Sequence, residues 1–132
     1  MHAANDLFIA ARAAMAKSYA PYSKLSVGAS LRTADGRVHS GGNIEVASYP
    51  EGWCAETTML SDYVMAGGGP IAEICVVSEK MDLITPCGGC RQRLAEFASP
   101  GTKVYLCDQT GIAKTITMAE LLPLGFRGDI LK

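Results

Sequence analysis

The chain contains a short apolar run, Ile74-Cys75-Val76-Val77, with the composition of a strand that is covered on both faces. The segments on either side of it, 54–66 and 87–97, favour helices. The first is stopped by the glycines and proline of 67–70, and the second begins after Pro86. A buried strand between two helices predicts an α/β fold in which helices pack on a sheet.

The remaining segments complete the predicted order α-β-β-α-β-α-β-β-α. Residues 6–18 favour a helix with Leu7, Ala11, Ala14 and Met15 on one face. Further strands are expected at 25–32, 37–42, 103–107 and 112–116, and 43–52 is expected to be irregular. Thr117 and Glu120 form a capping box for a short last helix. Together these elements predict a three-layer α/β/α sandwich around a five-stranded mixed sheet.

Length and charge narrow the classes of function. The 132 residues suit a single domain over residues 1–132. The net charge is −1 and the basic residues do not cluster, which disfavours polynucleotide binding and favours a small nucleoside over DNA or RNA. Apolar runs are too short for a membrane span and the first residues lack the pattern of a signal peptide, so we expect a cytoplasmic location and no membrane partner.

Five cysteines, an odd number, indicate metal binding or catalysis rather than a disulfide framework. Cys87 and Cys90 open a predicted helix with two glycines between them, a spacing that zinc half-sites and redox pairs share. Cys54, at the start of another predicted helix, favours zinc. Three thiolates leave the fourth position to water, as in a catalytic zinc site.

Four other residues could supply a fourth protein ligand, and we expect none of them to do so. Cys75 and Cys107 lie in predicted buried strands, where a free cysteine is usually a small apolar filler. His39 lies on a strand that looks exposed, and His2 lies in a terminus that we expect to be frayed. A fourth ligand would instead indicate a structural zinc module that binds a partner without catalysis.

Glu56 follows Cys54 by two residues, so it can stand beside the metal without ligating it. A carboxylate there can take a proton from a water whose pKa zinc has lowered toward about 7 and deliver it to a leaving amine. The alternative is an ordinary acidic residue in the first turn of a helix, favoured by the helix dipole. The cysteines favour the catalytic role.

Two segments, Cys54-Ala55-Glu56 and Pro86-Cys87-Gly88-Gly89-Cys90, resemble the signature of zinc nucleoside and nucleobase deaminases. The resemblance covers nearly the whole chain and is closest to the small, homotetrameric cytidine deaminases. It extends to Ala20-Pro21-Tyr22-Ser23, Gly42-Asn43-Ile44-Glu45, Ala47-Ser48-Tyr49, Cys90-Arg91-Gln92, Glu120-Leu121-Leu122-Pro123 and Phe126. It implies zinc-dependent conversion of cytidine and 2′-deoxycytidine to uridine and 2′-deoxyuridine, with release of ammonia, in pyrimidine salvage.

The same resemblance implies roles for residues around the substrate. Asn43 and Glu45 would bind the ribose hydroxyls, and Leu25 would form an apolar wall of the pyrimidine pocket. The backbone N–H of Ala55 and the carbonyl of Thr85 would meet the pyrimidine carbonyl and the departing amine.

Neighbouring subunits would also reach the substrate. Ala47 and Tyr49 resemble a loop contributed by one neighbour, and Phe126 resembles an aromatic residue that another lays against the base. A homotetramer with shared active sites is therefore expected.

The chain departs from the family pattern at several positions. Thr57 stands where many relatives carry arginine, and three thiolates on a dication leave a net charge of about −1 to be balanced. Helix N-termini with the Thr57 hydroxyl, or else Arg91 or Arg93, could supply that balance. Leu25 replaces an aromatic residue, and Val46 and Trp53 also differ. Modified cytosine nucleosides, such as blasticidin-type antibiotics, are an alternative substrate class, and a polynucleotide is a weaker one.

Overall fold

The structure is a computed structural model that describes residues 4–80 and 83–131. Its elements follow the predicted order: α1 (Asn5–Ala16), β1 (Val27–Thr33), β2 (Val38–Gly42), α2 (Ala55–Met65), β3 (Ile71–Ser78), α3 (Gly88–Phe97), β4 (Lys103–Asp108), β5 (Gly111–Thr117) and α4 (Met118–Leu121). Two short 3₁₀ turns, Tyr49–Glu51 and Gly128–Leu131, add to these. The capping box of Thr117 and Glu120 is present.

The five strands form one mixed sheet in the order β2-β1-β3-β4-β5. Only β3 and β4 run parallel, and the other three pairs are antiparallel. The apolar run at 74–77 therefore lies in the central strand, as predicted.

Both faces of the sheet are covered by helices. Along β3 successive side chains point to opposite faces. Ile74 and Val76 pack with Met59 of α2 and Leu94 of α3, while the opposite cluster joins residues of α1, β3 and β4: Leu7, Phe8, Ala11, Cys75, Val77, Tyr105 and Cys107. These two clusters confirm helices on both sides of the sheet.

Two local expectations differ from the structure. The first strand begins at Val27 rather than 25. The residues that lead into this strand are held instead by the Asn43 side chain, which accepts a hydrogen bond from the Val27 N–H and donates one to the Leu25 carbonyl. The expectation that His39 is exposed is wrong. α2 covers β2, and His39 is buried with Nδ1 2.9 Å from Asp62 Oδ2.

Gly28 of β1 allows α1 to approach the sheet closely. A Cβ at this position would lie 1.9 Å from the Ala11 carbonyl oxygen. We expect Gly28→Ala to lower the free energy of unfolding of the zinc-loaded protein by about 1–3 kcal/mol, because backbone must move to relieve the clash. Urea unfolding measures this change, and Gly101→Ala, which meets no atom within 4 Å, is the control. Equal stability of the two variants would contradict the packing described here.

Within residues 4–80 and 83–131, no helix combines the length and the apolar character needed to cross a membrane.

Candidate active site

Two helices point their N-termini at one place on the protein surface. Cys54 is the N-cap of α2, Cys87 is the N-cap of α3, and Cys90 lies in the first turn of α3. Neither N-cap side chain makes a capping hydrogen bond. The three sulfurs lie within 4.8 Å of one another.

This arrangement fits a zinc ion. At a Zn–S distance of about 2.3 Å, tetrahedral geometry separates two sulfurs by roughly 3.8 Å, so small side-chain adjustments would complete the site. Among the residues that the structure describes, the three cysteines are the whole group of ligand atoms. The fourth position is thus open, which favours a catalytic zinc site over a structural one.

The other possible ligands lie elsewhere, except for one that the structure does not describe. The Cys75 and Cys107 sulfurs contact each other at 3.3 Å on the α1 side of the sheet. His39 is paired with Asp62. His2 lies outside the described residues. Cys75, Cys107 and His39 thus lie outside the group of residues whose ligand atoms come together.

The surroundings of the three thiols oppose their joint ionisation in the absence of a cation. Burial opposes ionisation of Cys87, but the Cys90 backbone N–H and the neighbouring thiols lower its pKa below that of an ordinary cysteine. Burial raises the pKa of Cys54 and of Cys90, and the negative charge of Glu56 raises both further. Three thiolates in this space therefore need a positive ion, which zinc supplies.

Arg93 lies next to the cysteine thiolates, whose combined negative charge exceeds the positive charge of a zinc ion. Its Nη1 donates a hydrogen bond to Cys90 Sγ at 3.5 Å, whereas the Thr57 hydroxyl lies 4.0 Å from the same sulfur. Arg91, the other arginine considered, donates instead to the carbonyls of Pro86 and Leu121. Of Thr57, Arg91 and Arg93, Arg93 is thus the side chain best placed to balance the negative charge of the thiolates.

We expect Arg93→Gln to weaken zinc binding about tenfold or more, because a thiolate ligand loses its charged hydrogen-bond donor. Thr57→Ala should have a smaller effect. Competition with a chromophoric chelator measures the affinity, and Arg12→Gln on α1 is the charge-matched control. If Arg93→Gln bound zinc as tightly as that control, Arg93 would have no part in balancing the site.

Glu56 is buried beside the cysteines, with 4% of its surface exposed. It lies in the first turn of α2 and is not a member of the ligand group. Burial raises the pKa of this carboxyl, and Arg93 opposes that shift. A group that is close to the metal, unligated and able to hold a proton has the properties of a general acid and base.

The loop that carries Asn43 and Glu45 is hydrogen-bonded to the segment that leads into Cys54. Ile44 and Trp53 exchange two backbone hydrogen bonds of 2.9 Å, one residue before Cys54. On its other side, the loop pairs with Tyr19, which donates to the Asn43 carbonyl at 2.9 Å and accepts from the Glu45 N–H at 2.8 Å. The segment 43–45 is therefore held near the cysteines by backbone pairing.

The Glu45 carboxylate accepts hydrogen bonds from the turn that precedes β1. Oε1 accepts the backbone N–H groups of Tyr22 and Ser23 at 3.1 and 3.0 Å, and Oε2 accepts the Ser23 hydroxyl. These contacts, led by the Ser23 hydroxyl, lower the pKa of Glu45, so it is an ionised acceptor at neutral pH. Analysis of the sequence singled out Tyr22 and Ser23 as part of a motif but did not identify Glu45 as their partner.

The remaining predicted contacts differ in exposure. Ala55 is buried in the first turn of α2, and Leu25 is half-buried. Exposed side chains are found at Ala47, Tyr49, Thr85 and Phe126. The side-chain amide of Gln92 on α3 makes two hydrogen bonds with the backbone of Phe126. It donates to the Phe126 carbonyl at 2.8 Å and accepts from the Phe126 N–H at 3.2 Å. Phe126 is therefore held against α3 while its ring remains exposed.

Comparison with known proteins places this centre in a class. Residues 1–107 match the family model described as "Cytidine and deoxycytidylate deaminase zinc-binding region". Cys54, Cys87 and Cys90 are accordingly the zinc-binding triad of a zinc-dependent deaminase.

Relatives across the whole chain narrow that class. The chain is 43% identical to a cytidine deaminase of Halalkalibacterium halodurans over 112 residues, or 85% of each chain. It is 38% identical to one of Sporosarcina psychrophila over 125 residues, which are 95% of this chain and 92% of that one. The crystal structure of a cytidine deaminase from Burkholderia pseudomallei superposes with a TM-score of 0.88 at 43% identity, covering 96% and 100% of the two chains. The chain belongs to the cytidine deaminase family.

Proposed function

We propose that the protein hydrolyses the exocyclic amine of cytidine and of 2′-deoxycytidine, giving uridine or 2′-deoxyuridine and ammonia. One observation carries this proposal. A buried carboxyl, Glu56, lies next to a group of three cysteine sulfurs that lacks a fourth ligand within the described part of the chain. Cytidine deaminases also cover nearly the full length of the chain in sequence and in structure.

Glu56 carries the proton transfers in this reaction. Zinc, when bound to Cys54, Cys87 and Cys90, supplies a Lewis acid that makes water acidic enough to react near neutral pH. Glu56 takes a proton from the attacking water and delivers it to ring nitrogen N3 while the C–O bond forms at C4. It then passes the second water proton to the amine, and the C4–N bond breaks to release ammonia. Water is the only co-reactant, so atoms and charge balance.

Two backbone groups orient the ring in this proposal. The N–H of Ala55 lies in the first turn of α2, where helical geometry leaves N–H groups without intrahelical partners. In the proposed complex it would donate a hydrogen bond to the pyrimidine carbonyl. The carbonyl of Thr85, shortly before Cys87, would accept from the departing amine.

Asn43 and Glu45 retain the hydrogen-bonding capacity that one hydroxyl needs. Asn43 uses one N–H and one lone pair in its bonds to Leu25 and Val27. Glu45 uses about three of its four lone-pair sites in the bonds to Tyr22 and Ser23. An N–H from Asn43 and a lone pair from Glu45 are left, which together match a sugar hydroxyl that accepts one bond and donates one. The half-buried Leu25 side chain would form the apolar wall for the base.

We also propose that the single domain of residues 1–132 acts as a homotetramer. Tyr49 and Phe126 are 62% and 60% exposed, and Trp53, beside Cys54, is 47% exposed. Aromatic side chains are enriched where subunits meet, and Ala47, Tyr49 and Phe126 would complete the active sites of neighbouring copies. Sedimentation velocity should give a tetramer, and a monomer with full activity would contradict shared sites.

The five unpaired cysteines suit a reducing compartment, and we propose a cytoplasmic role in pyrimidine salvage.

The direct test follows ultraviolet absorbance and ammonia release when zinc-loaded protein is incubated with cytidine, with 2′-deoxycytidine or with a blasticidin-type cytosine nucleoside. Turnover of the first two is the expected result. Turnover of the modified nucleoside alone would move the substrate to the alternative class. A shift of DNA or RNA in a low-salt gel, with deamination of it, would revive the polynucleotide alternative.

A further inference from the structure

We propose that Ser23 is a positioning residue for the sugar site, and that its hydroxyl holds the Glu45 carboxylate in the orientation that recognises a 3′-hydroxyl. The inference rests on the proposed nucleoside deaminase function and adds a residue to it. Ser23 itself would not touch the substrate.

The Ser23 hydroxyl connects the two sides of the proposed substrate site. Its proton is donated to Glu45 Oε2, and its oxygen accepts the Leu25 N–H at 3.0 Å. The backbone N–H of Ser23 also donates to Glu45 Oε1 at 3.0 Å. One side chain thus links the carboxylate that would bind the sugar to the backbone of the residue that would line the base pocket.

This link determines which acceptor site on Glu45 is left for a ligand. The terminal torsion of a glutamate side chain is broad, so an unrestrained carboxylate samples many orientations. With Oε1 occupied by two N–H groups and Oε2 by the Ser23 hydroxyl, one lone pair on Oε2 remains, in a fixed direction. Preorganisation of this kind lowers the cost of binding a hydroxyl there.

The backbone of Lys24 makes the double contact of Ser23 possible. The backbone of Lys24 has a φ of 62°, in the left-handed region that residues other than glycine and asparagine rarely adopt. Its N–H donates to the Ala20 carbonyl at 3.1 Å, which closes the turn. The turn directs the Ser23 side chain at both Glu45 and the Leu25 N–H.

The test combines Ser23→Ala with removal of the substrate's 3′-hydroxyl. With cytidine, we expect Ser23→Ala to raise KM about tenfold and to change kcat less than about twofold, because binding is lost without loss of chemistry. With 3′-deoxycytidine, the same variant should change KM less than about twofold, since the hydroxyl that Glu45 would read is absent. Ser23→Thr retains the hydroxyl and should behave as wild type, and Ser61→Ala on α2 is the control for an unrelated serine.

A second pair of variants tests the turn without touching Ser23. Lys24→Gly and Lys24→Val both remove the exposed charge, but only glycine accepts positive φ readily. Lys24→Val should raise KM for cytidine as Ser23→Ala does, and Lys24→Gly should not. Equal KM values for these two variants would overturn the role of the turn.

The outcomes separate this inference from the function on which it rests. If the wild type deaminates cytidine but does not discriminate against 3′-deoxycytidine, the proposed sugar contact of Glu45 is wrong. If the wild type discriminates and Ser23→Ala loses equally on both substrates, or on neither, only the role of Ser23 is overturned.

Discussion

Replacing Glu56 by alanine will leave a folded protein that binds one zinc per chain and has lost turnover of cytidine by at least about 10³-fold. The loss is this large because one carboxyl carries out every proton transfer of the proposed reaction. General acid–base catalysis alone raises reaction rates by about 10²–10⁴-fold. Zinc binding survives because Glu56 is not part of the ligand group. Glu56→Gln, which keeps the shape of the side chain, should lose activity nearly as completely.

The measurements are steady-state rates of cytidine loss, zinc content by elemental analysis, and circular dichroism to confirm folding. Glu79→Gln, an exposed acidic residue distant in the chain, is the control for loss of a negative charge. Turnover within tenfold of wild type in Glu56→Ala would remove Glu56 from the mechanism. Loss of zinc together with activity would instead assign it to the metal site.

Alanine at Cys54, Cys87 or Cys90 will reduce zinc from one per chain to a small fraction after dialysis against a chelator. Each variant leaves two thiolates, which hold zinc far more weakly than three. Activity will fall by at least about 10³-fold, because the Lewis acid is no longer present. Elemental analysis after gel filtration measures the metal.

Cys75→Ala and Cys107→Ala are matched controls, since these buried cysteines lie on the opposite side of the sheet. Both should keep zinc and activity, with some loss of stability from the vacated space. Full zinc content in Cys87→Ala, or loss of zinc in Cys107→Ala, would contradict the assignment of the triad.

The elements of the fold could be predicted because local patterns and tertiary packing agree along most of the chain. The run at 74–77 predicted the central strand, and the glycines at 67–69 end α2 with positive φ at each position. The three cysteine ligands could be predicted because each of them lies at or near the start of a helix. Their sulfurs come together once the two helix starts meet at one end of the sheet.

What could not be predicted depends on contacts between segments distant in the chain. His39 lies on an edge strand between the exposed Val38 and the half-buried Ser40, and the packing of α2 over β2 buries it against Asp62. The position of Arg93 on Cys90 depends on the side-chain direction within α3, so the sequence left Thr57, Arg91 and Arg93 as alternatives. The contact between Glu45 and Ser23 joins two loops with no shared periodicity.

The two roles that we assign to Asn43 and Glu45, one observed in the turn before β1 and one proposed at the sugar, limit how the substrate range of this protein can be redesigned. Both side chains brace the turn before β1, so a library that varies them would confound altered sugar preference with a misfolded turn. Leu25 is different, because its backbone N–H and carbonyl are both bonded while its side chain takes no part in that bracing. If Leu25 forms the wall of the base pocket as proposed, variation at this one position could accommodate larger or smaller bases at little cost to the scaffold.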